Sequence, residues 1–199
     1  MASNREEGLP MKLVAAVVLA AGASTRLGEL KQLASLGEET LLERAVRVAR
    51  EAGCSPVVVV LGAEHAQVLG NSRLGDALPI INDEWNEGMA SSIRLGMRTL
   101  GSVAKDAKGA VLMTCDQPAV TREHLHVLMT SDEVMASLYA GRRGVPAYFP
   151  ADRFQELMAL RGDTGARDLL RWARYEELAG GELDVDTVED LEQARQLFG

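Results

Sequence analysis

Leu13-Val-Ala-Ala-Val-Val-Leu-Ala20 runs without a polar residue into Ala21-Gly22-Ala-Ser24-Thr25-Arg26-Leu-Gly28, and Lys31 follows three residues later. A short apolar run with β-branched members reads as a strand buried on both faces. The small residues after it read as a turn at the strand's carboxyl end, where open α/β sheets bind their ligands. Small residues let backbone N–H groups approach an anion closely, and a nest of such groups holds phosphate oxygens. Arg26 adds a bidentate donor and Lys31 a compact point charge. The spacing is neither that of a Walker loop nor that of the dinucleotide fingerprint.

The pattern continues outward from this strand. Pro56–Leu61, Leu78–Ile81 and Gly109–Thr114 read as further strands buried on both faces. Thr40–Ala52, Glu64–Leu69, Met89–Leu100 and Thr121–Thr130 carry helical spacing between and after them. Thr40-Leu-Leu-Glu43 fits a capping box. Strand and helix in alternation predict a three-layer α/β/α architecture around a mostly parallel, Rossmann-like sheet. Farther on, Val134–Tyr139 and Ala147–Phe149 read as strands joined by a turn at Gly141-Arg-Arg-Gly144. Ala151–Leu160, Thr164–Arg174 and Val188–Leu197 read as helices. There is no repeat and no long linker, so one domain over residues 1–199 is expected, with Met1–Met11 as a loose lead.

The bulk properties narrow the function. A formal net charge of -8 argues against a nucleic-acid partner, because backbone phosphates would meet an acidic surface. The longest apolar run, Leu13–Ala21, falls well short of the roughly 20 residues that span a bilayer, so no membrane is expected. Cys54 and Cys115 are too few for a disulfide scaffold, which makes a reducing cytoplasm the expected location. His65, His124 and His126 form no ligand spacing and read as surface or helix-packing residues.

Other candidates stand at the ends of the predicted strands. Thr114-Cys115-Asp116-Gln117-Pro118 puts a carboxylate at the tip of a buried strand, where it suits a hard cation such as magnesium. Asn82-Asp-Glu-Trp85-Asn86-Glu-Gly88-Met89-Ala90-Ser91-Ser92 opens a helix, with Gly88 allowing close backbone approach and hydroxyls in the first turn. Its acidic residues favour sugar or base contacts over phosphate. The same serines also suit an N-terminal cap beside a packed Trp85.

The opening loop resembles the L-A-A-G-x-S-x-R-x-G-x-x-K signature of nucleotidyltransferases with the glycosyltransferase-A-like, or nucleotide-diphospho-sugar transferase, fold. From Val14 to Leu197 the chain is similar to the molybdenum cofactor cytidylyltransferase family (MobA/MocA-like NTP transferases). The resemblance implies that Leu19, Ala20, Ala21, Gly22 and Ser24 bind nucleotide, together with Asn82, Gly88 and Ser92. It further implies that Asp116 binds Mg2+ and that Cys115 and Gln117 help choose the base. Gly141-Arg142-Arg143-Gly144-Val145-Pro146 resembles the acceptor segment, although many members carry His where Val145 stands. Arg142 and Arg143 are candidates for the acceptor's phosphate, or else solvated turn arginines. Arg161-Gly-Asp163-Thr-Gly165-Ala-Arg167 matches a stretch lining the same cleft, with Asp163 an acceptor residue or the N-cap of the next helix. Asp184-Val-Asp186-Thr187-Val-Glu-Asp190 matches a D-x-D-T-x-x-D segment. There Thr187 and Asp190 fit a cap, while Asp186 is the candidate second metal ligand.

The reaction implied is in-line attack by a phosphate monoester on the α-phosphorus of a nucleoside triphosphate, with Lys31 and Arg26 catalytic. CTP is the favoured donor and GTP an alternative. The acceptor implied is molybdopterin-like, with transient contact to a molybdenum enzyme. A sugar- or polyol-phosphate nucleotidyltransferase and a non-catalytic pterin-cofactor carrier are the competing readings.

Overall fold

The computed structural model describes residues 12–23 and 26–199. The lead Met1–Met11, and Ser24 with Thr25, lie outside the described residues. Strand β1 (Val14–Ala20) has all seven residues buried, and it sits inside a seven-stranded sheet ordered β5-β4-β1-β6-β8-β7-β9. Parallel neighbours flank it, β4 (Val57–Leu61) on one side and β6 (Gly109–Thr114) on the other. Strand β5 (Leu78–Ile81) continues the parallel half.

Side chains of a strand point alternately to its two faces, and β1 feeds two cores in this way. Val14, Ala16, Val18 and Ala20 pack with α1 (Leu41–Glu51), α2 (His65–Gly70) and α4 (Arg122–Met129). Ala15, Val17 and Leu19 pack with α3 (Met89–Val103), α5 (Phe154–Met158) and α6 (Arg167–Leu170). The result is the expected three layers. On the second face Gly96 of α3 lies directly over the sheet, and a Cβ there would stand 2.5 Å from Val17 Cγ1. That close approach brings the N-terminus of α3 down beside the carboxyl end of β1.

The remaining strands break the parallel rule. Strand β8 (Arg142–Pro150) runs antiparallel to both β6 and β7 (Met135–Tyr139), while β9 (Arg174–Glu177) lies parallel to β7 at the sheet edge. A small hairpin of β2 (Ser35–Leu36) and β3 (Glu39–Thr40) joins α7 (Val188–Phe198) in a third apolar cluster around Leu27, Leu41 and Val185. Three threonine caps form, two of them, at Thr40 and Thr187, as the sequence predicts. Thr40 and Glu43 make a reciprocal capping box, Thr121 accepts from the His124 amide, and Thr187 pairs with Asp190.

Several expectations need correction. Leu78–Ile81 is not buried on both faces but is an edge strand, paired only with β4 among the described residues, with Leu78 and Ile81 exposed. The turn expected at Gly141–Gly144 lies one step earlier, at Ala140 and Gly141, which both take positive φ; Arg142, Arg143 and Gly144 already belong to β8. Within Thr164–Arg174 only Arg167–Leu170 is helical, since Gly165 adopts φ +58° and Arg174 leaves to pair with β7. Ala151–Leu160 divides into a 3-10 turn and α5.

His124 proves to be a helix-packing residue. It is buried, with Nε2 2.7 Å from Ser137 Oγ, and Ser137 Oγ donates to the Pro146 carbonyl at 2.6 Å. A serine has one hydroxyl proton, so Nε2 carries the proton on the histidine side. Burial holds the His124 pKa below its ordinary value of 6.5. The unfolded chain then takes up a proton that the folded one refuses, and stability falls as the pH drops below about 6.5. In denaturant unfolding, His124→Gln is expected to flatten this part of the stability profile; an unchanged slope assigns the titration elsewhere. On the opposite face, Gly96→Val is expected to lose about 1–3 kcal/mol by overpacking against Val17, read as a lowered urea midpoint.

Candidate active site

The order of the parallel strands reverses at β1, with β4 and β5 added on one side and β6 on the other, and loops leaving the carboxyl ends of β1 and β6 border one crevice. After β1 the chain passes through Ala21 and Gly22, and a Cβ on Gly22 would meet no atom within 4 Å. Packing therefore does not demand the glycine; its open side faces a cavity of about 500 Å³ lined by Leu19, Ala20, Ala21 and Gly22. Gln32, fully buried, fixes this loop from behind by donating from Nε2 to the carbonyls of Ala20 at 2.8 Å and Gly22 at 2.9 Å. Gly62 closes the far side, since a Cβ there would lie 2.7 Å from both Ala21 O and Trp85 Cβ.

Lys31 stands in the 3-10 turn that follows, Lys31–Leu33. Its Nζ lies 2.7 Å from Asp116 Oδ2 and 2.8 Å from Asp186 Oδ1. Arg26, itself 71% exposed at the side chain, reaches the other oxygen of the same carboxylate, Asp186 Oδ2, at 2.9 Å. Burial alone pushes the Lys31 pKa down, but the Coulombic pull and hydrogen bond of Asp116, helped by Asp186, outweigh it and raise the pKa. The ammonium therefore stays charged. Asp186 arrives there because the Val185 amide donates to the Asp116 carbonyl at 2.9 Å and Asp190 Oδ2 accepts from the amides of Asp186 and Thr187.

Two cavities share this centre. Lys31, Asp116, Met89 and Asp163 line both the larger one and a second of about 380 Å³. Gly88, Ser92 and Cys115 border the larger cavity. The Cys115 thiol is pushed up to about 12 by burial and the neighbouring Asp116, which removes it as a nucleophile. Trp85 is partly exposed on the same cavity wall, not packed into the core. Asn82 is buried behind that wall: its Nδ2 holds the hydroxyls of Ser91 and Ser92 at 2.8 and 2.9 Å, and its Oδ1 accepts from the Glu84 amide. It shapes the turn into α3.

Gln117 lies on the smaller cavity. Its Oε1 accepts from Thr114 at 3.3 Å, while Nε2 donates to Tyr139 Oη and to the Gly181 carbonyl. Tyr139 in turn donates to the Val145 carbonyl at 3.0 Å, and its ring faces the Arg142 guanidinium at 5.7 Å. Arg143 stacks on Tyr175 at 5.1 Å and donates to the Arg171 carbonyl. Arg142, Arg143 and Arg167 line this cavity opposite Asp184, whose pKa burial and Asp116 raise to about 6. Asp163 caps neither of its own neighbours: Oδ1 accepts from the Met89 amide at 3.2 Å, so it caps α3 from another part of the chain. Gly88, at φ +116°, makes this possible, because a Cβ there would stand 2.9 Å from Asp163 Cα.

Of the candidate residues, Lys31, Arg26, Asp116 and Asp186 form one ionic cluster, and Leu19–Gly22, Gly88, Ser92 and Cys115 gather on one side of it. Arg142, Arg143 and Gln117 gather on the other. Ser24 lies outside the described residues. Sequence reasoning missed Gln32, Tyr139 and Asp184 as site residues. Gln32 and Tyr139 act through contacts distant in sequence, and only Asp184 carried a local signal, its place in a D-x-D pair. Among the described residues no three His, Cys, Asp or Glu side chains cluster as a metal site, and no helix is long and apolar enough to cross a membrane.

Comparison with known proteins identifies the family. Residues 16–179 match the family model described as the MobA-like NTP transferase domain. The chain is 30% identical to the purine catabolism protein PucB of Bacillus subtilis, over 90% of this chain and 95% of that one. It is 32% identical to the nicotine blue oxidoreductase of Paenarthrobacter nicotinovorans, over 89% and 94%. The crystal structure of Rv0371c from Mycobacterium tuberculosis H37Rv superposes with a TM-score of 0.82 at 32% identity, covering 93% of this chain and 98% of that one. A manganese complex of Rv0371c superposes with a TM-score of 0.76 at 29% identity, over 93% and 98%. A seven-stranded sheet with the family's fold, a glycine loop and an ionic cluster at its switch point, and a family match over most of its length make this chain a member of the MobA-like nucleotidyltransferase family.

Proposed function

We propose that this nucleotidyltransferase moves a cytidylyl group from CTP to the phosphate of a molybdopterin-type acceptor and releases pyrophosphate, with Mg2+ held by Asp116 and Asp186. The observation that carries the proposal is the position of Lys31, between two carboxylates and on the border of two cavities. The donor set fits the metal: two carboxylates already hold a cation between them, and magnesium takes one or two carboxylates with phosphate oxygens and water. When bound, magnesium supplies neutralisation of charge on the α-phosphate. The manganese complex of Rv0371c supports a divalent ion in this family.

The chain's own residues supply the rest. The backbone of Ala20–Gly22, with Arg26 and Lys31, holds the β- and γ-phosphates and the charge that develops on the departing pyrophosphate. The larger cavity takes the nucleoside, with Gly88, Ser92 and Cys115 on its wall. Arg142 and Arg143 draw the acceptor phosphate into the smaller cavity, and Asp163 fixes the boundary between the two. A phosphate monoester is largely ionised at neutral pH, so attack needs positioning more than a general base. The Cys-Asp-Gln-Pro segment at residues 115–118 supports cytosine, and GTP is the competing donor.

Pyrophosphate release with CTP, GTP, ATP and UTP, with and without molybdopterin and magnesium, tests the proposal. CTP with both additions is expected to be fastest, and release from none of the four rejects nucleotidyl transfer in favour of a carrier or redox role. Lys31→Ala is expected to lower turnover by about 10²–10³-fold, with a much smaller change in nucleotide affinity. Equal losses in both contradict its role in the transition state.

A further inference from the structure

The four charges joined by ion pairs at the centre of the crevice balance, and Asp184 and Arg142 add one of each sign beside them. Lys31 and Arg26 contribute two positive charges, and Asp116 and Asp186 two negative ones. Lys31 Nζ touches one oxygen of each carboxylate, at 2.7 and 2.8 Å, and the Lys31 and Asp116 side chains are only 16% and 17% exposed. A divalent ion held by the same two carboxylates would compete for the volume that the ammonium fills. In so sheltered a place two adjacent cations repel with little screening. The cluster holds one cation or the other.

We infer that Lys31 is the resident counter-ion of the metal position, and that it yields the two carboxylates to a divalent ion only by turning onto an arriving polyphosphate. The geometry allows the turn. Lys31 lines both cavities, its four-carbon stem is flexible, and the adjoining Gln32 is anchored to Ala20 and Gly22, so the side chain moves while the backbone stays. Arg26 makes the same exchange from Asp186, being mostly exposed and paired through a single nitrogen. A triphosphate entering with its metal brings net negative charge, and both released cations meet it. Metal without nucleotide brings only positive charge, and the cluster refuses it. The inference rests on the proposed reaction for the identity of the polyphosphate, but its central claim concerns the metal alone.

Manganese titration of the full chain without nucleotide, followed by the electron-spin signal of the free ion, tests that claim. Wild-type protein is expected to bind Mn2+ weakly, and Lys31→Met at least tenfold more tightly. Lys31→Arg, which keeps a cation between the carboxylates, is expected to stay weak. Adding Asp116→Asn to Lys31→Met is expected to abolish the gain. Equal affinity in wild type and Lys31→Met overturns the inference, as does a gain that survives Asp116→Asn or appears equally in Lys31→Arg. If the methionine variant does not fold, Lys31→Gln carries the same comparison, because it keeps a donor without the charge. Tighter manganese binding with no pyrophosphate released from any nucleotide by the wild type supports the exchange and overturns the proposed reaction. Normal release with no gain in affinity overturns the exchange alone.

Discussion

The ammonium of Lys31, shared between Asp116 and Asp186, is the interaction on which the site depends. Each partner comes from a different part of the chain: a short turn after β1, the tip of β6, and the segment entering α7. Without the lysine, two carboxylates would face each other in a half-buried crevice, which is unfavourable for both. The ion pairs thus tie the two central strands to the C-terminal segment. They also set the boundary between the two cavities.

The rest of the fold can be understood as support for that meeting point. β1 carries no polar side chain because it is covered on both faces, and its alternation divides the molecule into two cores of comparable make-up. Gly96 lets α3 settle onto Val17, which lowers the helix N-terminus into the crevice, where Asp163 caps it from a distant loop. Two hydrogen-bonded chains, Thr114–Gln117–Tyr139 on the wall of the smaller cavity and His124–Ser137, end on the carbonyls of Val145 and Pro146. Buried polar groups that satisfy one another in this way hold a wall rigidly.

Much of this was legible in the sequence, for physical reasons. β1, β4 and β6 stand out because central parallel strands must be apolar throughout, and the threonine caps stand out because their chemistry is local. β9 was not legible: Arg174-Tyr-Glu-Glu177 is polar, and only pairing with β7 makes it a strand. The arginines at 142 and 143 looked like a turn because glycines flank them, whereas the chain reverses at Ala140 and Gly141. Asp163 looked like a local cap because sequence shows only near neighbours. Gln32 gave no signal at all, since its two acceptors are carbonyls of a loop ten or more residues away.

The third apolar cluster is small, and it joins Leu27 beside Arg26 to Val185 beside Asp186 through α7. Its members come from the turn after β1, from the β2–β3 hairpin, and from the segment that carries Asp186 into α7. Parts of a protein with few apolar contacts open at lower free energy than the whole unfolds. The clasp between Arg26 and Asp186 rests on fewer buried residues than either core of the sheet, so it is the part of the crevice expected to open at the lower free energy.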